Sequence, residues 1–220
     1  MSTLNEGRKD TRRAHSAEGR RILSLLDADN RLTHDPDGRP CFADRHADFS
    51  ISHSRNMAAA AWIPAPCRVG CDIQYMHPRR TFAEISRRFF HTSEHACIEE
   101  AGEEGIRNFY RIWVLKEAWL KLYGFSVFDI AKAPAFSIGG TGAAAARDES
   151  GQPDFFLYEP AAQCGPEELY MLAAARQRNY FSGCVPEPEF RWFSETTLRL
   201  NKVENIYAAQ IPVNTVTPNM

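Results

Sequence analysis

Glu117 and Lys121 stand one helical turn apart in Arg111-Ile-Trp-Val-Leu-Lys-Glu-Ala-Trp-Leu-Lys-Leu-Tyr-Gly124, surrounded by large apolar residues. A glutamate and a lysine at that spacing support a helix by about 0.2–0.5 kcal/mol, so an ordinary intrahelical ion pair is one reading. Charges set among apolar neighbours are costly without a partner or a ligand, which makes a binding site the other reading. Asp72 supplies a second acid upstream, in Val69-Gly-Cys-Asp-Ile-Gln74, where Val69 and Ile73 mark a strand. Magnesium takes one or two carboxylates and completes its shell with waters and substrate phosphates. Asp72 and Glu117, on two rigid elements, meet that need, and Lys121 would hold a phosphate beside them. A third piece is Phe49-Ser-Ile-Ser-His53-Ser, a histidine closing a strand among serines. Its imidazole and the hydroxyls can donate to a phosphate, although a hydrogen-bonded structural histidine has the same pattern.

Other titratable groups carry weaker signals. His91 and His95 have one-turn spacing but no accompanying carboxylate motif, and are expected at the surface. Six cysteines (Cys41, Cys67, Cys71, Cys97, Cys164 and Cys184) are scattered with no Cys-x-x-Cys pair, which favours free thiols. Zinc at Cys67 and Cys71 lacks two further ligands at a suitable spacing. Basic residues cluster at Arg12, Arg13, Arg20 and Arg21, and again at Arg79, Arg80, Arg87 and Arg88. Such runs are usually solvated helix faces. The first group has the alternative of binding a nucleotide's terminal phosphate, the second of guiding an acidic partner protein.

Periodicity indicates the elements that must position these groups. Ile22, Leu23, Leu25 and Leu26 fit a helix over 16–26, and Asp35-Pro-Asp-Gly38 is a turn. Strands are expected at Asp48–His53, Met57–Ile63 and Val69–Gln74, the second closed by Pro64 and Pro66. Phe82, Ile85, Phe89 and Phe90 have helical spacing, and Thr92 or Ser93 would cap a further helix through Ala101. Glu99 to Gly105 reads as a solvated loop. The helix Phe109–Tyr123 follows, with Ile112, Leu115, Trp119 and Leu122 as its buried stripe and Gly124 as its end. Strand-like runs come next at Ala135–Ile138, Phe155–Tyr158, Tyr170–Ala174 and Phe190–Phe193, with a glycine- and alanine-rich connection from Gly139 to Gly151. The order predicts an α+β (or α/β) fold of small sheets backed by helices.

A chain of 220 residues, 44% hydrophobic and 25% charged, suits one large domain or two lobes of about 100 residues each. The net charge of −2 gives no global basic field, so nucleic acid is not an expected partner. No apolar run is long enough to span a bilayer, and Met1 to Asp10 lacks a signal-peptide core, so a cytoplasmic location without membrane attachment is expected.

Taken in order, Phe49-Ser-Ile-Ser-His-Ser, Val69-Gly-Cys-Asp-Ile and Trp113-Val-Leu-Lys-Glu-Ala-Trp-Leu-Lys121 resemble the 4′-phosphopantetheinyl transferases. Each motif alone is weak; the Gly-x-Asp followed by Trp-x-x-Lys-Glu-Ala-x-x-Lys is specific. The chain length matches the larger two-lobed, surfactin-synthetase-type class. The resemblance runs from about Arg12 to Asp129, and the C-terminal third has no matching motif.

The resemblance implies transfer of phosphopantetheine from coenzyme A to a serine of an apo acyl- or peptidyl-carrier protein, as in fatty-acid or secondary-metabolite biosynthesis. Adenosine 3′,5′-bisphosphate would be the other product. It implies a pseudo-dimer of two similar lobes with the site in the cleft between them: an N-terminal lobe over 1–68 and a C-terminal lobe over 69–211. Independently of the resemblance, the polar run with Pro212 and Pro218 is expected to be a flexible tail over 212–220. A monomer is expected, because one chain carries both halves of the cleft. Asp72 and Glu117 would hold magnesium (manganese as the alternative), Glu117 would act as base toward the serine directly or through a metal-bound water, and Lys121 would stabilise the transferring phosphoryl group or the serine oxygen. His53 resembles the family's phosphate-contacting histidine, while Arg20, Arg12 and His15 resemble the positions that meet the 3′-phosphate of coenzyme A. Gln74 departs from the pattern, since glutamate is common there. It is expected to offer the metal an amide oxygen without charge, or to leave the place to water. A non-catalytic coenzyme A or carrier-binding module of the same fold is the competing expectation.

Overall fold

A computed structural model of the chain describes residues 19–24, 27, 31–36, 38–55, 57–77, 81–138, 153–158 and 170–177, together with the backbone of 192–194, 197–201 and 213–216. The fold is α+β, with small antiparallel sheets and helices. Strands β1 (Leu32–His34) and β2 (Pro40–Phe42) form a short hairpin, followed by a longer one from β3 (Ala47–Ser54) and β4 (Met57–Pro64). Then come β5 (Arg68–Tyr75), helices α1 (Phe82–Phe89), α2 (Thr92–Glu100) and α3 (Gly105–Tyr123), and β6 (Ala135–Ile138). Strands β7 (Asp154–Tyr158) and β8 (Tyr170–Gln177) join β5 in a three-stranded antiparallel sheet, with β8 central and β5 at the edge.

One face of that sheet carries Met171, Ala173, Ala175, Phe155 and Leu157, which pack with Ile112, Leu115, Ala118 and Leu122 of α3 in the main core. The register sets Gly70 beside Ala175 and Asp72 beside Ala173, so the small side chains lie where the helix comes closest. Gly70 is required there for space. A Cβ on it would stand 2.1 Å from the Ala118 carbonyl oxygen and 2.5 Å from the Leu122 backbone nitrogen. Backbone cannot yield as a side-chain tip can. Gly70→Ala is therefore expected to lift α3 from β5 and cost about 3 kcal/mol or more, the upper end of overpacking. Urea denaturation measures the loss.

The sheets of β3–β4 and β5–β8–β7 meet without a backbone ladder. Strand β3 turns a side-chain face to the open edge of β5. Backbone N–H groups of Val69, Cys71, Ile73 and Tyr75 donate to Asp48 Oδ2 (2.9 Å), Ser50 Oγ (3.0 Å), Ser52 Oγ (3.3 Å) and Ser54 Oγ (2.9 Å). Alternate residues on both strands pair in the same direction, so four edge donors that would be costly if buried unpaired are satisfied. Arg39 closes one end of this seam, donating through Nη2 to Asp48 Oδ2, the Phe49 carbonyl and the Val69 carbonyl. On the other face of β3, Phe49 and Ile51 pack with Leu23 of the helical stretch 19–24 and with Phe42.

The structure departs from the sequence reading in four places. Glu99 to Gly105 is no loop: α2 runs to Glu100, a 3-10 turn covers Gly102–Glu104, and Gly105 opens α3 against the Ile98 carbonyl. The cap of α2 is neither Thr92 nor Ser93. His91 accepts from Ser93 N–H, and Glu94 accepts from His91 N–H in return. The strand expected at Phe190–Phe193 runs over Trp192–Ser194, ending one residue later. The segment 212–220, expected as a free tail, instead contributes Val213–Val216, which pair antiparallel with β6; the β-branched Val213, Thr215 and Val216 suit a strand. The connection 139–151 lies outside the described residues.

Candidate active site

Asp72 sits on the edge strand, beneath α3, and is 1% exposed. Buried carboxylates need donors. Its Oδ1 accepts from Ser52 Oγ and from Lys121 Nζ, each at 2.7 Å, and its Oδ2 accepts from Gln74 Nε2 at 3.2 Å. Lys121 lies near the C-terminal end of α3, where a cation also suits the helix dipole. Burial works to lower its pKa, but the charge of Asp72, aided by Cys71, the hydrogen bond and Glu117, outweighs this, and the net shift is upward. Lys121 is held as an ammonium.

Glu117, one turn before Lys121, is half-buried. Burial first and the charge of Asp72 second push its pKa up to about 7 against the pull of Lys121. Two acids thus share one cation, an arrangement that an additional cation would relieve. The donor set of Asp72, Glu117 and the Gln74 amide fits the hard, oxygen-preferring magnesium described by general coordination chemistry, which needs no third carboxylate.

The expected site residues therefore divide. Asp72, Gln74, Glu117 and Lys121 come together. His53 is exposed, at the end of β3 on the strand face opposite Ser52, the face that packs against the stretch 19–24 carrying the exposed Arg20. Arg12 and His15 lie outside the described residues. Among the serines around His53, Ser50, Ser52 and Ser54 accept backbone N–H groups as rungs of the β3–β5 seam, and Ser52 spends its own proton on Asp72. Sequence reasoning missed Ser52 as a partner of Asp72. The alternation of Asp48, Ser50, Ser52 and Ser54 was the visible signal for it.

Lys116 was also missed, although it stands in the same helix motif. It points away from Glu117 and is 1% exposed, with Nζ 2.9 Å from Glu94 Oε2 and donating to the Pro134 carbonyl at 3.1 Å. Burial lowers its pKa while Glu94 opposes that shift.

Residues 68–165 match the 4′-phosphopantetheinyl transferase superfamily. The 4′-phosphopantetheinyl transferase AcpT of Salmonella typhimurium is 34% identical over 143 residues, covering 59% of this chain and 74% of AcpT. The chain belongs to the 4′-phosphopantetheinyl transferase superfamily. Similarity extends to HetI of a Nostoc species, 33% identical over 92 residues (40% of this chain, 38% of HetI). It extends also to Sfp of Bacillus subtilis, 32% identical over 106 residues (47% of this chain, 46% of Sfp). The chain thus spans less than half the length of those two relatives. The superfamily match begins at the first residue of β5 and includes Asp72, Gln74, Glu117 and Lys121. No described helix is long and apolar enough to cross a membrane.

Proposed function

We propose that this chain transfers the 4′-phosphopantetheine group of coenzyme A to a serine of an apo acyl- or peptidyl-carrier protein, in a magnesium-dependent reaction that releases adenosine 3′,5′-bisphosphate. The observation that carries the reading is the meeting of Asp72, Lys121 and a Glu117 whose pKa is pushed up to about 7. A base works best with a pKa near the working pH, and an ordinary glutamate is too acidic for that. Relatives named 4′-phosphopantetheinyl transferases support the reaction class.

Magnesium held by Asp72 and Glu117, with Gln74 or water beside them, would neutralise pyrophosphate charge. Glu117 takes the proton of the carrier serine. The serine oxygen forms a bond to the phosphorus that bears pantetheine, and the bond from that phosphorus to the adenosine bisphosphate oxygen breaks. Lys121 places its ammonium beside the transferring group, where charge stabilisation and positioning supply most of the rate. His53, Arg20, Arg12 and His15 are proposed for the phosphates of coenzyme A. Two lobes meeting near Cys67–Gly70 are proposed as the walls of the cleft, an arrangement supported by the side-chain seam between β3 and β5. The monomeric state and cytoplasmic location belong to the same proposal.

Incubation with coenzyme A, magnesium and an apo carrier, followed by mass spectrometry, tests the reading. A gain of one phosphopantetheine on the carrier serine is expected. No gain despite coenzyme A binding would favour a non-catalytic binding module, for which Gln74 in place of glutamate is the motivating observation. Gln74 also makes the metal site short of one charge. Gln74→Glu is therefore expected to lower the magnesium concentration for half-maximal activity by roughly tenfold, equivalent to about 1.4 kcal/mol. An unchanged magnesium titration would sink that expectation.

A further inference from the structure

Ser52 is the rung of the β3–β5 seam with two duties. Its oxygen accepts from Ile73 N–H at 3.3 Å, and its hydroxyl donates to Asp72 Oδ1 at 2.7 Å. The direction is forced. A backbone N–H can only donate, so the hydroxyl's single proton is free to go to the carboxylate. Ser50, on the same face of β3, accepts from Cys71 N–H at 3.0 Å, and among the described residues its hydroxyl makes no hydrogen bond to Asp72. The other partners of Asp72 are Lys121 and Gln74, both half-buried side chains with several torsions. Ser52 is 4% exposed and has one side-chain torsion to heavy atoms, already held by the seam.

We propose that Ser52 is a positioning residue for the transfer reaction: it fixes the rotation of the Asp72 carboxylate by clamping Oδ1 to β3. The inference rests on the magnesium site proposed above. A carboxylate that binds a metal is itself oriented by a hydrogen-bond donor behind it, and loss of such a donor costs roughly 10–100-fold in metal affinity. The side chain that reads as a phosphate donor in the sequence thus serves the metal-facing acid.

The test compares Ser52→Ala, Ser52→Thr and Ser50→Ala with the wild type. Binding of Mn2+ alone is followed by electron paramagnetic resonance, thermal melting reports folding, and carrier loading reports transfer. Both alanine variants remove one rung, so both should melt lower. Ser52→Ala alone should raise the Mn2+ dissociation constant, by roughly 10–100-fold, and should shift the magnesium dependence of transfer to higher concentration. Ser52→Thr, which keeps the hydroxyl, should restore metal binding. If Ser52→Ala does not fold, Ser52→Cys takes its place, and its weaker donor should give an intermediate metal affinity. Wild-type Mn2+ affinity in Ser52→Ala, an equal loss in Ser50→Ala, or no restoration by threonine would overturn the inference while leaving the transferase reading intact. A wild type that neither binds Mn2+ nor loads a carrier overturns the reading and the inference with it.

Discussion

Glu117→Gln is expected to abolish transfer and, at the same time, to stabilise the protein above neutral pH. The folded protein holds the Glu117 pKa at about 7 against an ordinary value of 4.5. A group whose folded pKa is raised binds its proton more tightly in the native state. Its favourable contribution is complete below about pH 4.5 and is lost as the pH rises through about 7. The interval is about 2.5 pH units at about 1.4 kcal/mol each, so ionising Glu117 costs on the order of 3 kcal/mol. Glutamine imitates the neutral acid and avoids that cost. In urea melts with chelator present, Glu117→Gln and wild type should match at pH 4.5 and diverge at pH 8, with the variant more stable. Transfer should fall by roughly 10²–10⁴, the usual worth of a positioned base. With magnesium bound, the acid limb of the wild-type rate should lie below the metal-free value of about 7, because the cation favours the carboxylate. A variant that collapses by circular dichroism at pH 8 would show instead that Glu117 and Lys121 are an intrahelical pair holding the fold. An active variant would remove Glu117 from the chemistry.

That coupling explains why part of the site was legible in the chain and part was not. Glu117 and Lys121 could be read because the i,i+4 spacing on an apolar helix is a local signal, and Asp72 because its strand is short and well bounded. Gly70 stood in the same motif, but its reason is the backbone of Ala118 and Leu122, some fifty residues later, which no local pattern announces. The serines of Phe49–Ser54 were visible and their job was not. Alternation shows that Ser50, Ser52 and Ser54 share a face; only the tertiary structure shows that this face meets the bare edge of β5. The α2 cap was misplaced for a related reason. Thr92 and Ser93 have the favoured side chains, yet the reciprocal bond to Glu94 begins at His91, and Glu94 is anchored there by α3.

Glu94 and Lys116 together give the second large expected effect. Both are at most 1% exposed, and their 2.9 Å ion pair ties the first turn of α2 to the middle of α3. The carboxylate also accepts from His91 N–H at 2.7 Å and from Phe136 N–H at 2.8 Å, so β6 is fastened to the same point. Lys116→Met leaves that carboxylate buried with no cation and should cost about 3–5 kcal/mol in urea denaturation. For many buried ion pairs, replacing both partners with neutral side chains recovers the loss. Here the recovery should be partial. A glutamine at 94 can present its one oxygen to Phe136 N–H or to His91 N–H but not to both, and the second backbone donor is left facing an amide N–H. Lys116→Met with Glu94→Gln is therefore expected to fall between Lys116→Met and wild type. Carrier loading per folded molecule should survive in both variants, because Lys116 points away from Asp72. Full recovery in the double variant would show that the two backbone donors find water instead. Loss of transfer at full folding would place Lys116 in the reaction and not in the frame that holds Glu117 and Lys121.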